Sequence, residues 1–286
     1  MDQGYRERPA AHETGPYLEP LRLLIRGALA PLPWWLSEFI LFGLKQAWAC
    51  LFAAIMLALL LITKVIWQPG WPVHRYDFLF LAALTIQILF LRFKMESWDE
   101  ARVILVYHVT GTVMEIFKVH MGSWAYPETS IIQIGGVPLF SGFMYAAVGS
   151  FMARTIRIFD MCFSHYPPMW QTGLLAIAIY ANFFSHHFLP DIRYLLFAAT
   201  VIVFRRVNIH FTTGRTTLRM PLVLAAFLSS AFLWLAENIG TLTGTWIYPT
   251  QKTWHVVSFG KLGSWYLLLY VSFALVTLVV KPRPPQ

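Results

Sequence analysis

Two glutamates in this 286-residue chain each stand seven residues ahead of the same short pattern. Glu115 is followed by Gly122, Trp124, Tyr126 and Pro127, and Glu237 by Gly244, Trp246, Tyr248 and Pro249. A displacement of 122 thus superposes five identities in thirteen positions. Both glutamates fall near the end of a long apolar stretch, where a charge facing lipid is costly; intramembrane acids therefore face the bundle interior and commonly mark functional sites. An acid held out of water can keep its proton near neutrality and deliver it as a general acid. Aromatic faces stabilise cations, so carboxyl groups beside Trp and Tyr are suited to protonating an alkene and holding the resulting carbocation. Two plainer readings stand beside this one. Lys118, three residues after Glu115, is within helical pairing distance for a structural ion pair, although Gly240 holds the corresponding place in the second copy. Trp and Tyr are also enriched at membrane interfaces in general.

Histidines extend the candidate set. His108 precedes Glu115 by seven residues, two helical turns, so the two share a helix face and His108 joins the glutamates as a catalytic candidate. Asn182, His186 and His187 close a later apolar stretch and are candidate substrate-binding residues together with the motif glycines, tryptophans and tyrosines. His and carboxylate are common metal ligands, and a metal centre is the alternative use of these side chains. There is no His-Glu-Xaa-Xaa-His pattern, and adjacent histidines on a helix point apart, so no metal and no cofactor is expected.

The elements that must position these residues are membrane helices. Hydrophobic residues make up 57% of the chain and charged residues 13%, against roughly 25% charged in soluble domains. The net charge of +8 comes from basic residues scattered between apolar runs, which form no compact patch and exclude a nucleic-acid partner. Cys50 and Cys162 lack metal-ligand spacing and exclude a disulfide scaffold. Residues 1–17 have no short apolar core or cleavage site, so the N-terminus is expected to be retained. Residues 21–42 mix Arg22, Arg26, Trp34, Trp35 and Phe39 and read as a helix lying in the interface. Eight stretches approach the roughly 17 to 25 residues that a crossing helix needs: 46–66, 77–93, 101–120, 138–159, 169–188, 191–204, 218–237 and 262–280.

Cytoplasmic loops carry the excess of Lys and Arg. With the N-terminus inside, all but six of the 22 basic residues fall on that side; the exceptions are Lys64, Arg75, Lys118, Arg193, Lys252 and Lys261. Both termini are therefore expected in the cytoplasm. Asp77 with Arg92 matches Asp191 with Arg206 in the two halves; each acid and base lie about 22 Å apart along a helix, too far to pair, and read as interface anchors. The predicted fold is an all-α, polytopic membrane bundle of about eight transmembrane helices. It is arranged as two parallel four-helix repeats related by an axis along the membrane normal. Residues 1–44 form the cytoplasmic tail and interfacial helix, 45–160 the first repeat and 161–286 the second.

The motif from Glu237 to Pro249, with its weaker copy from Glu115 to Pro127, resembles the repeated motif of the heterodimer-type lycopene cyclases and the carotenoid hydratases. The chain from about Trp34 onward is similar to the bacterial membrane family called domain-of-unknown-function family 817. The carotenoid resemblance implies an inner-membrane enzyme that acts on an isoprenoid by acid catalysis without a redox cofactor. Carried onto matching positions, it makes Glu115 and Glu237 acids or cation stabilisers, with Gly122, Trp124, Tyr126, Gly244, Trp246 and Tyr248 shaping the site. One departure matters: lycopene cyclases carry an acidic pair shortly after Pro-Leu in the following helix. Here Pro138-Leu139 leads into Phe140 and Ser141, and the second copy reads Phe259-Gly260-Lys261. The residues themselves leave two other classes open, a proton- or cation-coupled carrier with acids between parallel repeats, and a non-catalytic scaffold.

Overall fold

The computed structural model describes residues 19–68, 70–214, 216–248 and 256–285. The tail before residue 19, Arg215, and Pro249 with Lys252 and His255 lie outside them. The described chain is mostly helical: α1 (Glu19–Leu29), α2 (Trp34–Ala49), α3 (Leu51–Ile66), α4 (Arg75–Arg92), α5 (Trp98–His120), α6 (Phe140–Ile158), α7 (Met169–Ser185), α8 (Arg193–Phe204), α9 (Leu222–Leu242) and α10 (Phe259–Val279). Each of the eight apolar stretches overlaps one of the helices α3 to α10, the first of them reaching into α2 as well. Three of them, α5, α9 and α10, are long and apolar enough to cross a membrane alone, and α2 with α3 makes a fourth if counted as one bent span. The chain is therefore a multi-pass membrane protein.

The helix starts follow from sequence. Pro33, Pro168 and Pro221 sit immediately before α2, α7 and α9 with φ of −52°, −53° and −58°, a backbone setting proline brings preformed. Helix α5 opens with a capping box: the Ser97 hydroxyl accepts from the Glu100 N–H, and the Ser97 N–H donates to the Glu100 carboxylate.

Three expectations are corrected. The first predicted span, 46–66, is broken at Cys50, where α2 meets α3 at 64°. Helix α2 thus begins twelve residues earlier, inside the segment read as interfacial, and Trp34, Trp35 and Phe39 face outward from it. The seventh span starts at Leu222 rather than 218 and runs on to Leu242, because Thr217–Pro221 is a strand. The structure is also not purely helical. Strands β3 (Cys162–Ser164), β4 (Asn208–Thr212) and β5 (Thr217–Pro221) form an antiparallel sheet in the order β3-β4-β5. The short hairpin β1 (Gln133–Ile134) to β2 (Val137–Pro138) turns through Gly135 and Gly136, both at positive φ, as a two-residue primed turn requires.

The bundle consequently has a sheet end, where α6 and α8 stop and α9 begins, and a motif end, where α5, α7 and α9 stop and α8 and α10 begin. Helices α5 and α6 approach most closely, through glycines: a methyl group on Gly111 would lie 2.7 Å from Tyr145, and one on Gly149 2.7 Å from Tyr107. Small residues permit such contact between membrane helices.

Near the sheet end, Glu96 and Arg154 form a wholly buried ion pair at 2.7 Å. Ser150 and Gln87 complete the hydrogen bonds of Glu96. Burial pushes the Glu96 carboxyl above the usual carboxylate range, and Arg154 opposes that shift. Arg157 grips Glu100 with two nitrogens, at 2.7 and 3.2 Å. Arg154, counted in sequence among the loop cations, is thus a core residue. Arg75, an exception to the charge rule, is likewise buried and bonded to Glu128 at 2.7 Å, Thr63 at 3.0 Å and the Leu60 carbonyl at 3.2 Å.

Removing one member of a buried pair strands the other charge. Arg154→Ala is expected to lower unfolding stability by roughly 3–5 kcal/mol, whereas Arg102→Ala, which breaks an exposed pair with Asp99, leaves it unchanged. Denaturant titration in detergent micelles measures both, and equal losses would show that the buried pair adds nothing.

Candidate functional site

Helices α5 and α9 end in the same way. Gly122 and Gly244 adopt φ of +67° and +63°, a left-handed setting that costs other L-residues roughly 1–2 kcal/mol. Their N–H groups donate to Val119 and Thr241, and the following N–H groups of Ser123 and Thr245 donate to Lys118 and Gly240. This is the Schellman closure that turns a chain sharply at a helix end. After it, the segment runs extended, so residues two apart point the same way. Trp124 with Tyr126, and Trp246 with Tyr248, are thereby directed back at the glutamate of their own helix.

The result is two matching carboxylate nests. Glu115, 4% exposed, accepts from Trp124 Nε1 at 2.7 Å and Tyr126 OH at 2.8 Å on Oε2, and from Tyr145 OH at 2.6 Å on Oε1. Glu237, 5% exposed, accepts on Oε1 from Trp246 Nε1 at 3.2 Å and from the Tyr248 hydroxyl, and on Oε2 from Trp265 Nε1 at 3.2 Å. Each acid holds three aromatic donors, two from its own motif and one from the following helix. The two motifs also pair with each other. Ala125 and Ile247, each lying between its Trp and Tyr, exchange two backbone hydrogen bonds of 3.0 Å in an antiparallel bridge. Trp124 meets Tyr248 edge to face at 6.0 Å, and Tyr76 of α4 donates to the Thr245 carbonyl at 2.8 Å.

Both nests open onto one cavity of about 1090 Å³, at the top of the roughly 300–1,000 Å³ range of small-molecule sites. From the motif end it descends between α2–α3, α6, α9 and α10, with α7 at its side, to Met161, Ile209 and Met220 at the sheet end, along walls that are mainly apolar. Leu228, Phe232 and Leu235 of α9 line it and also face outward, Phe232 being 75% exposed. Along α9 the cavity wall is therefore a single layer of side chains that is also outer surface.

The chain matches, over residues 38–273, the model of a family described as "Protein of unknown function (DUF817)". It belongs to the DUF817 family. A relative, the uncharacterized protein YoaT of Bacillus subtilis (strain 168), is 42% identical over 253 residues, covering 87% of this chain and 95% of the relative. Among solved structures, an Insig homolog from Mycobacterium vanbaalenii aligns with a TM-score of 0.46 at 15% identity, over 67% of this chain and 98% of that one. A cross-linked trimer of the same mycobacterial protein aligns at 16% identity with the same score and coverage.

In this DUF817 member the eight residues Glu115, Glu237, Gly122, Trp124, Tyr126, Gly244, Trp246 and Tyr248 come together as their spacing predicts. His108 does not join them. It shares the α5 stripe with Glu115, but its ring packs at 4.6 Å from that of Phe143 and 6.4 Å from that of Phe80, on the seam with α6. Asn182 and His186 line the cavity while ordering the turn after α7. The Asn182 side chain bonds Asp191 and the Ile192 N–H, both at 3.1 Å, and the Asn182 backbone carbonyl meets the His186 ring Nδ1 at 3.1 Å. His187 points at Lys118, with Nζ to Nε2 at 3.0 Å. The expected ion pair between Glu115 and Lys118 is absent among the described residues, because Lys118 turns to His187 and lies 4.0 Å over the Phe183 ring. No cluster of three or more metal-ligating side chains occurs among the described residues.

The residues read as interface anchors have sharper duties. Asp77 accepts from Ser130 at 2.6 Å and from the N–H groups of Ile131 and Ile132, pinning the loop beyond the first motif. Asp191 binds Arg193 at 2.5 Å. Partial burial pushes its carboxyl up, but bonds from Asn182 and Arg193 outweigh this and hold it below the usual range.

Sequence reasoning missed Tyr145 and Trp265. They stand 120 apart rather than 122, since the connection after the second motif is two residues shorter than the first. Searching the next helix for an aromatic donor within a turn of the expected offset would have found them.

Gly240 explains why the second nest closes: the Trp246 ring would lie 2.0 Å from a methyl group there. Gly240→Ala is expected to cost roughly 1–3 kcal/mol by overpacking and to remove the hydrogen-bonded indole N–H signal of Trp246 in nitrogen-15 NMR spectra. Gly43→Ala, with open space around it, should leave both unchanged.

Proposed function

We propose that this DUF817 member is an enzyme of the bacterial inner membrane that binds an isoprenoid or similar elongated lipid and transforms it by acid catalysis at Glu115 and Glu237. The observation that carries the proposal is the opening of both carboxylate nests onto one apolar cavity, walled along α9 by outward-facing side chains. The proposed architecture is two parallel four-helix repeats, 45–160 and 161–286, behind a tail and interfacial segment at 1–44, with both termini cytoplasmic. The repeated nest and the Ala125 to Ile247 bridge support it.

The two acids are not equivalent. An indole N–H only donates, whereas a phenol both donates and accepts. Both oxygens of Glu237 face indoles, while Oε1 of Glu115 faces only the Tyr145 hydroxyl. A proton on Glu115 Oε1 keeps its bond by donating to Tyr145, so Glu115 is the proton carrier and Glu237 the cation stabiliser, a division of roles set by surroundings. The Glu115 proton adds to one alkene carbon, forming a C–H bond and leaving a carbocation on the other. Loss of a neighbouring proton back to carboxylate gives an isomerised product; attack of a second alkene of the chain on the cation, forming a C–C bond before that proton is lost, gives a cyclised one; and capture by water with loss of a proton gives an alcohol. The aromatic walls are suited to the cationic stage: Lys261 Nζ already rests 4.1 Å from the Tyr248 ring centroid and 5.5 Å from that of Trp124. Gly122, Gly244, Trp124, Tyr126, Trp246 and Tyr248 shape the acid site; Asn182 and His186 form the adjoining wall, His187 positions Lys118, and His108 supports the seam two turns along α5.

One observation favours a second reading, a proton-coupled carrier. Helix α2 breaks into α3 beside the cavity, and broken helices line ion pathways in carriers.

Mass spectrometry of lipid extracts from cells with and without the gene separates these readings. The enzyme predicts an isoprenoid shifted by one water, or of unchanged mass and new retention, that disappears in Glu115→Gln and Glu237→Gln. An unchanged profile with the folded protein present would contradict it, and loss of proton-coupled uptake in the same variants would establish the carrier.

A further inference from the structure

The motif end of the cavity carries three cations, and neither of its two lysines touches a carboxylate among the described residues. Lys118, Arg193 and Lys261 all line it and lie close enough to act electrostatically on one another. Arg193 has an anionic partner in Asp191. Lys118 has only a neutral acceptor, the His187 ring nitrogen. Lys261 makes no hydrogen bond or ion pair at contact distance among the described residues and is held by the faces of Tyr248 and Trp124. Residues 249–255, which precede α10 and lie outside the described set, contain no Asp or Glu. Asp191 attracts Lys118 and Glu237 attracts Lys261 through space, but neither glutamate neutralises a lysine by contact, since the oxygens of Glu115 and Glu237 are engaged by six aromatic donors, three to each acid.

Ammonium groups out of bulk water normally find an anion. Here the place for one is the cavity itself, beyond which the walls become apolar for the remaining depth of the bundle. We propose that the cavity takes an amphiphile with an anionic head, a phosphate or carboxylate on a long apolar chain, the head on Lys261 and Lys118 and the chain running past the two carboxylate nests toward the sheet end. This names the substrate class of the proposed enzyme and rests on the same cavity. It also gives the chain a direction, anchored by its charged end. The head group's charge is attracted to the lysines while the alkene carbons next along the chain come level with Glu115.

The test uses the full-length protein in detergent micelles, with tryptophan fluorescence reporting equilibrium binding, because Trp124, Trp246 and Trp265 all border the cavity. The probes are a twenty-carbon polyprenyl monophosphate, the polyprenyl alcohol of the same chain, a fatty acid and inorganic phosphate. Charge-assisted bonds to a buried head predict that the monophosphate binds roughly tenfold or more tighter than the alcohol, with inorganic phosphate alone ineffective. Lys261→Gln should erase that preference, and Lys261→Arg should retain it, which separates loss of charge from loss of fold. Equal affinity for monophosphate and alcohol, or a preference untouched by Lys261→Gln and Lys118→Gln, would overturn the inference. Saturable binding of inorganic phosphate as tight as the lipid would overturn the chain's part in it. A fatty acid that matches the monophosphate would assign the head to carboxylates, and one that does not would assign it to phosphates. Because binding is read without turnover, acid catalysis found alongside no charge preference would refute this inference and leave the enzymatic reading standing.

Discussion

A carboxyl group buried between apolar helices must be given hydrogen-bond donors, because burial takes away the water that would otherwise solvate it. In this protein the donors are indoles and phenols. That choice satisfies the acid without bringing in a counter-charge, and it surrounds the acid with flat apolar surfaces. Much of the motif end can be understood as the means of delivering six such donors to two acids. The helix-ending glycines turn the chain, the alternation of an extended segment aims Trp and Tyr together, and close packing at Gly111 and Gly240 lets the rings approach. The ion pairs Glu96–Arg154 and Glu100–Arg157 answer the same constraint at the opposite end with a different chemistry, charge against charge.

Pairing the motifs has a structural effect beyond symmetry. The Ala125 to Ile247 bridge ties the end of α5 to the end of α9, while α9 lines a cavity that separates it from α6 for most of its length. The two helices are thus held together at the motif end and parted below it. A cavity with a polar, aromatic crown and an apolar flank follows from that arrangement. The sheet β3-β4-β5 closes the other end, with α2 laid against it through Phe42, Phe159 and Phe211 and a bond from Lys45 to the Thr212 carbonyl.

How much of this was legible in the sequence depended on whether the signal was local. The spacing of Glu, Gly, Trp and Tyr is local to one helix end, and the nests assembled as spacing implied. Tyr145 and Trp265 were hidden because their register depends on connections of unequal length. His108 misled for the opposite reason: helical periodicity placed it correctly on the stripe of Glu115, but the neighbouring helix presents it with Phe143 and Gly142. The break at Cys50 has neither Pro nor Gly beside it and left no mark. Residues 218–221 were absorbed into an apolar run because they adjoin α9, although alternation in Asn208–Thr212 offered a strand for them to join. Charge counting placed Arg154 among the loop cations, whereas its burial, which only the fold discloses, makes it a core residue.

The central claim is that the two Glu-aromatic motifs meet and form one site. Its most direct test is a cross-link between Ala125→Cys and Ile247→Cys, in a chain whose Cys50 and Cys162 are replaced by Ser, assayed in native membranes. Directly opposed residues in an antiparallel pair have Cα atoms about 4.5–5.5 Å apart, within disulfide range. The account predicts rapid oxidation to an intramolecular disulfide, while a control pair of Ala125→Cys with Gly43→Cys on α2 stays reduced. Failure of the 125 to 247 pair to close, with both thiols reactive toward a small maleimide, would contradict it.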